Sequence, residues 1–168
     1  MDVYMTSLRL IHIFSGILWA GWTWALLAFV APASQAAGPE GGKFMQALAG
    51  KTKVTQAMLV APLLVVLTGL LMYWQVSGQL SGTWLVSRSG LSLTVGGLAG
   101  IVAFVLGLVM ISPAGNRLAA LMREIQSSGG PPSAKQQAEL RAIQERIAKG
   151  GLYVAVLLVI TVIGMVLA

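Results

Sequence analysis

Four long stretches without a charged side chain divide this sequence. They contain 30, 34, 28 and 19 residues, and they lie between Arg9 and Glu40, between Lys53 and Arg88, between Arg88 and Arg117, and after Lys149. A helix needs about 20 mostly apolar residues to cross the hydrocarbon core of a bilayer. Because lipid offers no hydrogen bonds to an open backbone, we expect each stretch to form a transmembrane α-helix.

The expected fold is all-α, an integral membrane four-helix transmembrane bundle in a single domain over residues 1–168. Hydrophobic residues make up 57% of the chain and charged residues only 10%, against about 25% in an ordinary soluble domain, so that class is excluded. The predicted membrane helices are Thr6–Ala31, Val54–Val76, Leu91–Ile111 and Gly151–Ala168.

The loop over residues 112–150 has helical signals of its own. Ser112 followed by Pro113 predicts an N-cap and a first helical position, with a helix to about Ile125. In the loop after the first membrane helix, a short turn of helix is expected around Lys43–Leu48.

An amphipathic cytoplasmic stretch is predicted to follow, between the third and fourth membrane helices. Ser133 and Gln136 have the spacing of a capping box, which marks the start of a helix. The stretch could lie on the membrane or extend the fourth helix, because its apolar residues share one face: Leu140, Ile143 and Ile147.

Lysine and arginine are unequally distributed between the two sides of the predicted bundle. Nine of the 11 lie in the loops after the first and third helices, and only Arg9 and Arg88 lie on the opposite side. The positive-inside rule then places both basic loops in the cytoplasm and both termini outside, in a multi-pass membrane protein. These basic residues flank membrane segments without interleaved aromatics, which indicates contact with the lipid bilayer and no nucleic acid.

His12 is the ionisable residue with the strongest functional signal. On a helix it shares a small and polar stripe with Gly16, Trp19 and Thr23, so it should face the other helices. An ionisable side chain at this depth is a functional candidate by default. An imidazole there could be an axial haem ligand, a copper ligand or a proton relay, and the alternative is a neutral histidine bonded to a neighbouring helix.

Two cations and one methionine complete the candidate site. Arg9 is one turn from His12, and Arg88 lies near the same membrane surface, so both could hold the anionic groups of a cofactor. Snorkelling of these arginines to the head groups is the alternative. Met72 is the methionine best placed for a second axial ligand. The candidate cofactor-binding residues are therefore His12, Arg9, Arg88 and Met72, with His12 as the candidate metal ligand.

Several kinds of chemistry are excluded or disfavoured by the residues present. The chain has no cysteine and a single histidine, so thiolate sites and zinc sites with several histidines cannot form within one chain. The four apolar segments contain no acidic residue, which disfavours hydrolysis and carboxylate-driven proton transport. Gly96 and Gly100 form a GxxxG pattern that predicts a close helix-packing face, with room for a flat cofactor as the alternative.

The segment from Leu8 to Gly21, LRLIHIFSGILWAG, carries a family resemblance. It resembles the first helix of small bacterial membrane proteins of the copper-resistance protein D (CopD) superfamily, and its apolar run also ends in Ala31-Pro32. The outline continues through APLLVVLTGL at Ala61–Leu70, Trp84-Leu85 and a long charged loop before the last helix. The resemblance implies copper transport or resistance, and a place in the bacterial inner (plasma) membrane.

A second resemblance is to the HemJ-type protoporphyrinogen oxidases, four-helix membrane proteins that bind b-type haem. His12, Trp19, Ala20 and Gly21 match the first helix of that family. The resemblance implies haem b bound through His12. The family's second histidine and its lysine at the third helix have no counterpart here, so the likeness concerns the haem site more than the oxidase activity.

Three functions are left open by the sequence. The first is a haem-binding redox protein that works through His12, in electron transfer or in oxidation of a hydrophobic substrate such as a tetrapyrrole or quinone. The second is copper transport of the CopD type. The third is an accessory subunit without a cofactor, which packs in a homodimer or a larger membrane complex. Whether the protein is an enzyme stays open with them, and no catalytic residue is predicted.

Overall fold

Helices form nearly all of residues 2–168, the part of the chain that the computed structural model describes. Four of them are long and apolar enough to cross a membrane, and no strand occurs among the described residues. The prediction of an all-α four-helix membrane bundle is therefore confirmed. The helices are α1 (Val3–Ala36), α2 (Pro39–Lys51), α3 (Val54–Val76), α4 (Gly82–Leu85), α5 (Arg88–Ser128) and α6 (Ala134–Val166).

The long helices associate as two antiparallel pairs. Helix α1 packs along α3, and α5 packs along α6. The two pairs meet around Trp19 of α1, the bulkiest buried side chain of this core. Small residues on the facing helices leave the space that the indole ring fills. The buried members of the core are Trp19, Ala61, Val65, Ala103, Val154 and Leu158.

The two ends of the bundle differ in charge. Both chain termini lie at one end, where the Ser89 hydroxyl donates a hydrogen bond of 2.6 Å to the carbonyl of Ala168. We call this the terminal end. The opposite end carries α2 and the loop-side parts of α5 and α6, with nine of the 11 lysines and arginines, and we call it the basic end.

Glycines let α5 and α6 approach each other closely. A Cβ atom on Gly164 would lie 2.7 Å from the Cα of Gly96 and 2.7 Å from the carbonyl oxygen of Ser92. A Cβ on Gly96 would lie 3.0 Å from the carbonyl oxygen of Thr161, and Gly100 faces the Thr161 side chain. The prediction of a packing face at Gly96 and Gly100 is confirmed, and its partner is Gly164 on α6.

Helices α1 and α5 each contain one π-helical turn near the basic end. These turns are Leu26–Val30 and Gly107–Ile111, and each is followed after one residue by a proline, Pro32 or Pro113. Proline lacks an N–H and clashes with the carbonyl four residues earlier, so the preceding turn widens while the helix continues.

The predicted N-cap at Ser112 is wrong for this reason. Ser112 has helical backbone angles of −61° and −48°, and its N–H bonds to the carbonyl of Gly107 within the π turn. Helix α5 therefore runs without interruption to Ser128, three residues beyond the expected end, and Gly129 terminates it in the left-handed conformation at φ 66°.

The predicted capping box at Ser133 is confirmed, and the helix that it starts is much longer than expected. The Ser133 hydroxyl accepts from the N–H of Gln136, whose side chain accepts from the N–H of Ser133. Helix α6 then continues to Val166, so the amphipathic stretch extends the fourth membrane helix rather than lying on the membrane. Its apolar face, centred on Ile143, packs against α5 in a second core with Ala114 and Leu121.

The bounds of three other helices differ from the predictions. Helix α5 begins at Arg88, three residues before the predicted Leu91. Helix α1 extends from Val3 to Ala36, because Pro32 is accommodated within the helix instead of ending it. The short turn expected around Lys43–Leu48 is a full helix, α2, which begins at Pro39 in the first helical position. Helix α3 has the predicted bounds.

The turn after α3 is held in an unusual backbone conformation. Gly78, Gln79 and Leu80 have φ angles of 59°, 60° and 69°, a region that costs a residue with a side chain about 1–2 kcal/mol. Ser77 is almost completely buried and secures this turn. Its hydroxyl donates to the Trp74 carbonyl and accepts from the N–H of Leu80.

Candidate functional site

His12 lies on the face of α1 that packs against α3. It is half-buried, in a stripe of buried or half-buried residues that also includes Leu8, Ser15 and Trp19. The Nδ1 atom of His12 is 3.0 Å from the hydroxyl oxygen of Thr68 on α3. The expectation that His12 faces the other helices therefore agrees with its position between α1 and α3.

The hydrogen bond to Thr68 defines the protonation of the imidazole. The Thr68 hydroxyl already donates its hydrogen to the carbonyl of Leu64, one turn earlier on α3. A hydroxyl that donates to this carbonyl accepts from His12, so we expect Nδ1 to carry the proton in the neutral ring. In that tautomer the lone pair of the ring lies on Nε2.

Gly69 makes room for the imidazole beside α3. A Cβ atom on Gly69 would lie 3.0 Å from Cε1 and 3.5 Å from Nδ1 of His12. Contacts of 3.0 Å are shorter than van der Waals separation, so a larger residue at position 69 would push the ring from its place. Thr68 and Gly69 together orient His12, one through its hydroxyl group and the other through its lack of a side chain.

The structure does not bring the other three predicted site residues together on His12. Met72 follows Thr68 by one turn of α3 and is half-buried, so it lies on the same face towards the terminal end. Arg9 is exposed, one turn before His12 on α1. Arg88 is exposed at the first position of α5. Neither arginine makes an ion pair or side-chain hydrogen bond in the described part of the chain.

Thr68 and Gly69 were not predicted from the sequence. Thr68 is a polar residue within the apolar segment from Leu63 to Leu71, and Gly69 follows it directly. A small or polar residue inside a membrane helix usually faces another helix, and that signal could have identified this pair. The sequence contains no signal for the helix that they face, because helix pairing depends on the tertiary fold.

The residues around His12 provide one metal ligand rather than a complete metal site. No group of three or more His, Cys, Asp or Glu side chains that could hold a metal ion occurs among residues 2–168. A single neutral imidazole whose other nitrogen is hydrogen-bonded has the arrangement found for metal-ligating histidines. This donor set fits one axial ligand of a haem, for which the porphyrin supplies the other donors.

Two open clefts of the described chain lie away from His12. One, of about 460 Å³, lies near the basic end between α1 and α2 and is lined mainly by apolar side chains, including Phe29, Val30 and Phe44. The other is lined by Trp74, Gln75, Gly78 and Gln79 at the turn after α3. A planar cofactor bound to His12 would therefore need part of its cover from lipid or from a second subunit.

Comparison of this chain with protein-family models, with curated proteins and with solved structures finds no match.

Proposed function

We propose that this chain is a small redox-active membrane protein that binds b-type haem through Nε2 of His12. The observation that supports this proposal is the hydrogen bond between Nδ1 and the Thr68 hydroxyl. It orients the ring and leaves the lone pair of Nε2 for a metal ion. A haem held there would supply one-electron chemistry, for electron transfer or for oxidation of a hydrophobic substrate. Copper bound by His12 is the alternative that metal analysis tests.

Each predicted site residue has a distinct part in this proposal. Thr68 fixes the tautomer and the orientation of the imidazole, and it raises the basicity of Nε2. Arg9 and Arg88 are exposed on the terminal side of His12, where they would pair with the carboxylates of the bound group. Met72 lies one turn from Thr68 and is the candidate for the second axial position.

We also propose that the protein lies in the bacterial inner membrane with both termini outside the cytoplasm. The nine lysines and arginines at the basic end favour this orientation, since cytoplasmic ends of membrane helices carry the excess of positive charge. The same side chains would contact anionic lipid head groups.

The experiment is an absorption spectrum of the protein purified in mild detergent, recorded oxidised and after reduction with dithionite. The proposal predicts a Soret band that shifts on reduction, with iron present in the same sample. Copper in a stoichiometric amount without a Soret band would favour the copper alternative. A colourless and metal-free protein that also fails to bind added haem would contradict the proposal.

An accessory role without a cofactor is the second candidate function. It is favoured by the position of the two open clefts, neither of which is lined by His12. In this role His12 would join α1 to α3 through Thr68, and the exposed apolar faces would pack in a homodimer or a larger membrane complex. Mild purification would then yield a colourless protein that co-purifies with a partner or as an oligomer.

A further inference from the structure

Three features that weaken or widen a helix meet at one level of the bundle, near the basic end. Two are the π turns Leu26–Val30 in α1 and Gly107–Ile111 in α5. The third is the glycine pair Gly150-Gly151, which lies inside α6. Kinks in helices occur at prolines, at glycine pairs and at π turns, and all three kinds of feature are present here.

Both π turns pack on this glycine pair. A Cβ atom on Gly150 would lie 3.1 Å from the Cγ1 of Ile111, which belongs to the π turn of α5. A Cβ atom on Gly151 would lie 3.2 Å from the Cδ2 of Leu27, which belongs to the π turn of α1. The two turns therefore contact α6 side by side, at adjacent residues.

The remaining long helix also begins at this level. His12 of α1 lies beside Gly69 of the antiparallel α3. Leu27 is 15 residues after His12, and Val54 is 15 residues before Gly69. Because the two helices are antiparallel, Leu27 and Val54 lie at the same height along the bundle axis. Helix α3 begins at Val54, after the non-helical residues Thr52 and Lys53. We call this level, where all four long helices begin, widen or carry glycine, the junction layer.

One side-chain hydrogen bond joins α5 and α6 at the junction layer. Pro113 has no N–H, so it leaves the carbonyl of Val109 without its usual partner four residues later. The Nη2 atom of Arg146 donates to this carbonyl across 3.3 Å. Arg146 lies on α6, one turn before the glycine pair, and it therefore holds the widened part of α5 against α6.

The part of α5 and α6 beyond the junction layer is a unit with its own core. At 1.5 Å per residue, the 41 residues of α5 span about 60 Å, about twice the thickness of the hydrocarbon core. Leu121 and Ile143 are buried between the two helices in this extension. The Arg117 guanidinium donates to Glu139 on α6 and to Glu124 on α5, and it holds the pKa of Glu139 below its ordinary value.

We propose that the junction layer is a hinge, about which the α5–α6 extension bends as a rigid unit relative to the membrane bundle. The bundle and the extension have separate clusters of buried residues, on Trp19 and on Leu121. The Trp19 cluster reaches the layer through the partly buried Ile111, and the Leu121 cluster begins beyond it at Ala114. Hinges absorb motion at a few positions between well-packed bodies, and the π turns and glycines provide such positions in three helices at once. The Arg146–Val109 contact stabilises one orientation of the extension.

Distances between pairs of spin labels test this proposal directly. The chain has no cysteine, so a label attaches only where a cysteine is introduced. Leu63→Cys with Gln144→Cys spans the junction layer, and all the positions chosen are exposed. Leu63→Cys with Leu98→Cys lies within the bundle, and Ala119→Cys with Gln144→Cys lies within the extension. We expect a broader distance distribution for the pair that spans the layer than for either control pair.

Variants at the layer should then change that distribution alone. Arg146→Gln removes the contact with Val109, so the spanning distribution should broaden or shift. Gly150→Ala with Gly151→Ala fills the space against Ile111 and Leu27 and should narrow it. Gly115→Ala is the matched control, because a Cβ there meets nothing within 4 Å. A spanning distribution as narrow as both controls and unaffected by Arg146→Gln would overturn the proposal.

Discussion

Purified His12→Asn protein is expected to be folded and to contain no haem. The amide nitrogen of asparagine takes the place of Nδ1 and still donates to the Thr68 hydroxyl, so the contact between α1 and α3 is kept. No atom of asparagine reaches the position of Nε2, so the proposed axial ligand is lost. Haem content per protein, together with the thermal unfolding temperature in detergent, measures the two consequences separately.

Thr68→Val is the companion variant, because it keeps the shape of the side chain and removes only the hydroxyl group. His12 remains, but its Nδ1–H loses the acceptor that orients the ring. Loss of such an orienting partner costs about 10–100-fold in metal affinity, so we expect haem binding to be weakened but not abolished.

Haem content that is unchanged in His12→Asn would contradict His12 ligation. Imidazole added to a His12→Gly variant should restore the pigment if Nε2 is the ligand.

Gly164→Ala should destabilise the bundle by about 3 kcal/mol, the upper part of the range for overpacking a close contact. The added methyl group would lie 2.7 Å from backbone atoms of Gly96 and Ser92. Backbone atoms cannot move aside as a flexible side chain can, so α5 and α6 must separate along their contact, which is the most extensive between two helices of this bundle. Unfolding in detergent mixtures of increasing denaturing strength measures the loss.

Gly97→Ala is the matched control for this prediction. Gly97 is adjacent to Gly96 on the same helix, yet a Cβ there would meet nothing within 4 Å. Alanine is also favoured over glycine inside a helix by about 1 kcal/mol, so this variant should be neutral or slightly more stable. Equal losses in Gly97→Ala and Gly164→Ala would mean that the α5–α6 contact is not as close as described.

The number and position of the membrane helices could be predicted because hydrophobic length is a property of each segment alone. Helix α3 has the expected bounds, and the capping box at Ser133 marks the start of α6. Pro113 misled the prediction, because proline is common at the first position of a helix and is disfavoured inside one. Helix α5 continues past Pro113 because it widens into a π turn and because Arg146 donates to the carbonyl of Val109. Both are tertiary effects, which the local sequence does not specify.

The candidate site was predictable only in part, for a similar reason. His12 could be selected because it is the single histidine of the chain and lies in an apolar segment. Its interaction with Thr68 and Gly69 depends on the register between α1 and α3, which hydrophobic patterning leaves undetermined. The same limit applies to Gly164, whose partner Gly96 is 68 residues earlier in the chain.

In the proposed site, Thr68 holds His12 as the tautomer with its proton on Nδ1, which leaves the lone pair of Nε2 for a ligand. Nitrogen-15 magnetic resonance of protein labelled only at histidine tests this claim without ambiguity, since the chain has one histidine. In the haem-free protein we expect a protonated Nδ1 and an unprotonated Nε2, and Thr68→Val should remove this preference. A neutral ring with its proton on Nε2 would contradict ligation through Nε2, because that nitrogen would then have no lone pair for a metal.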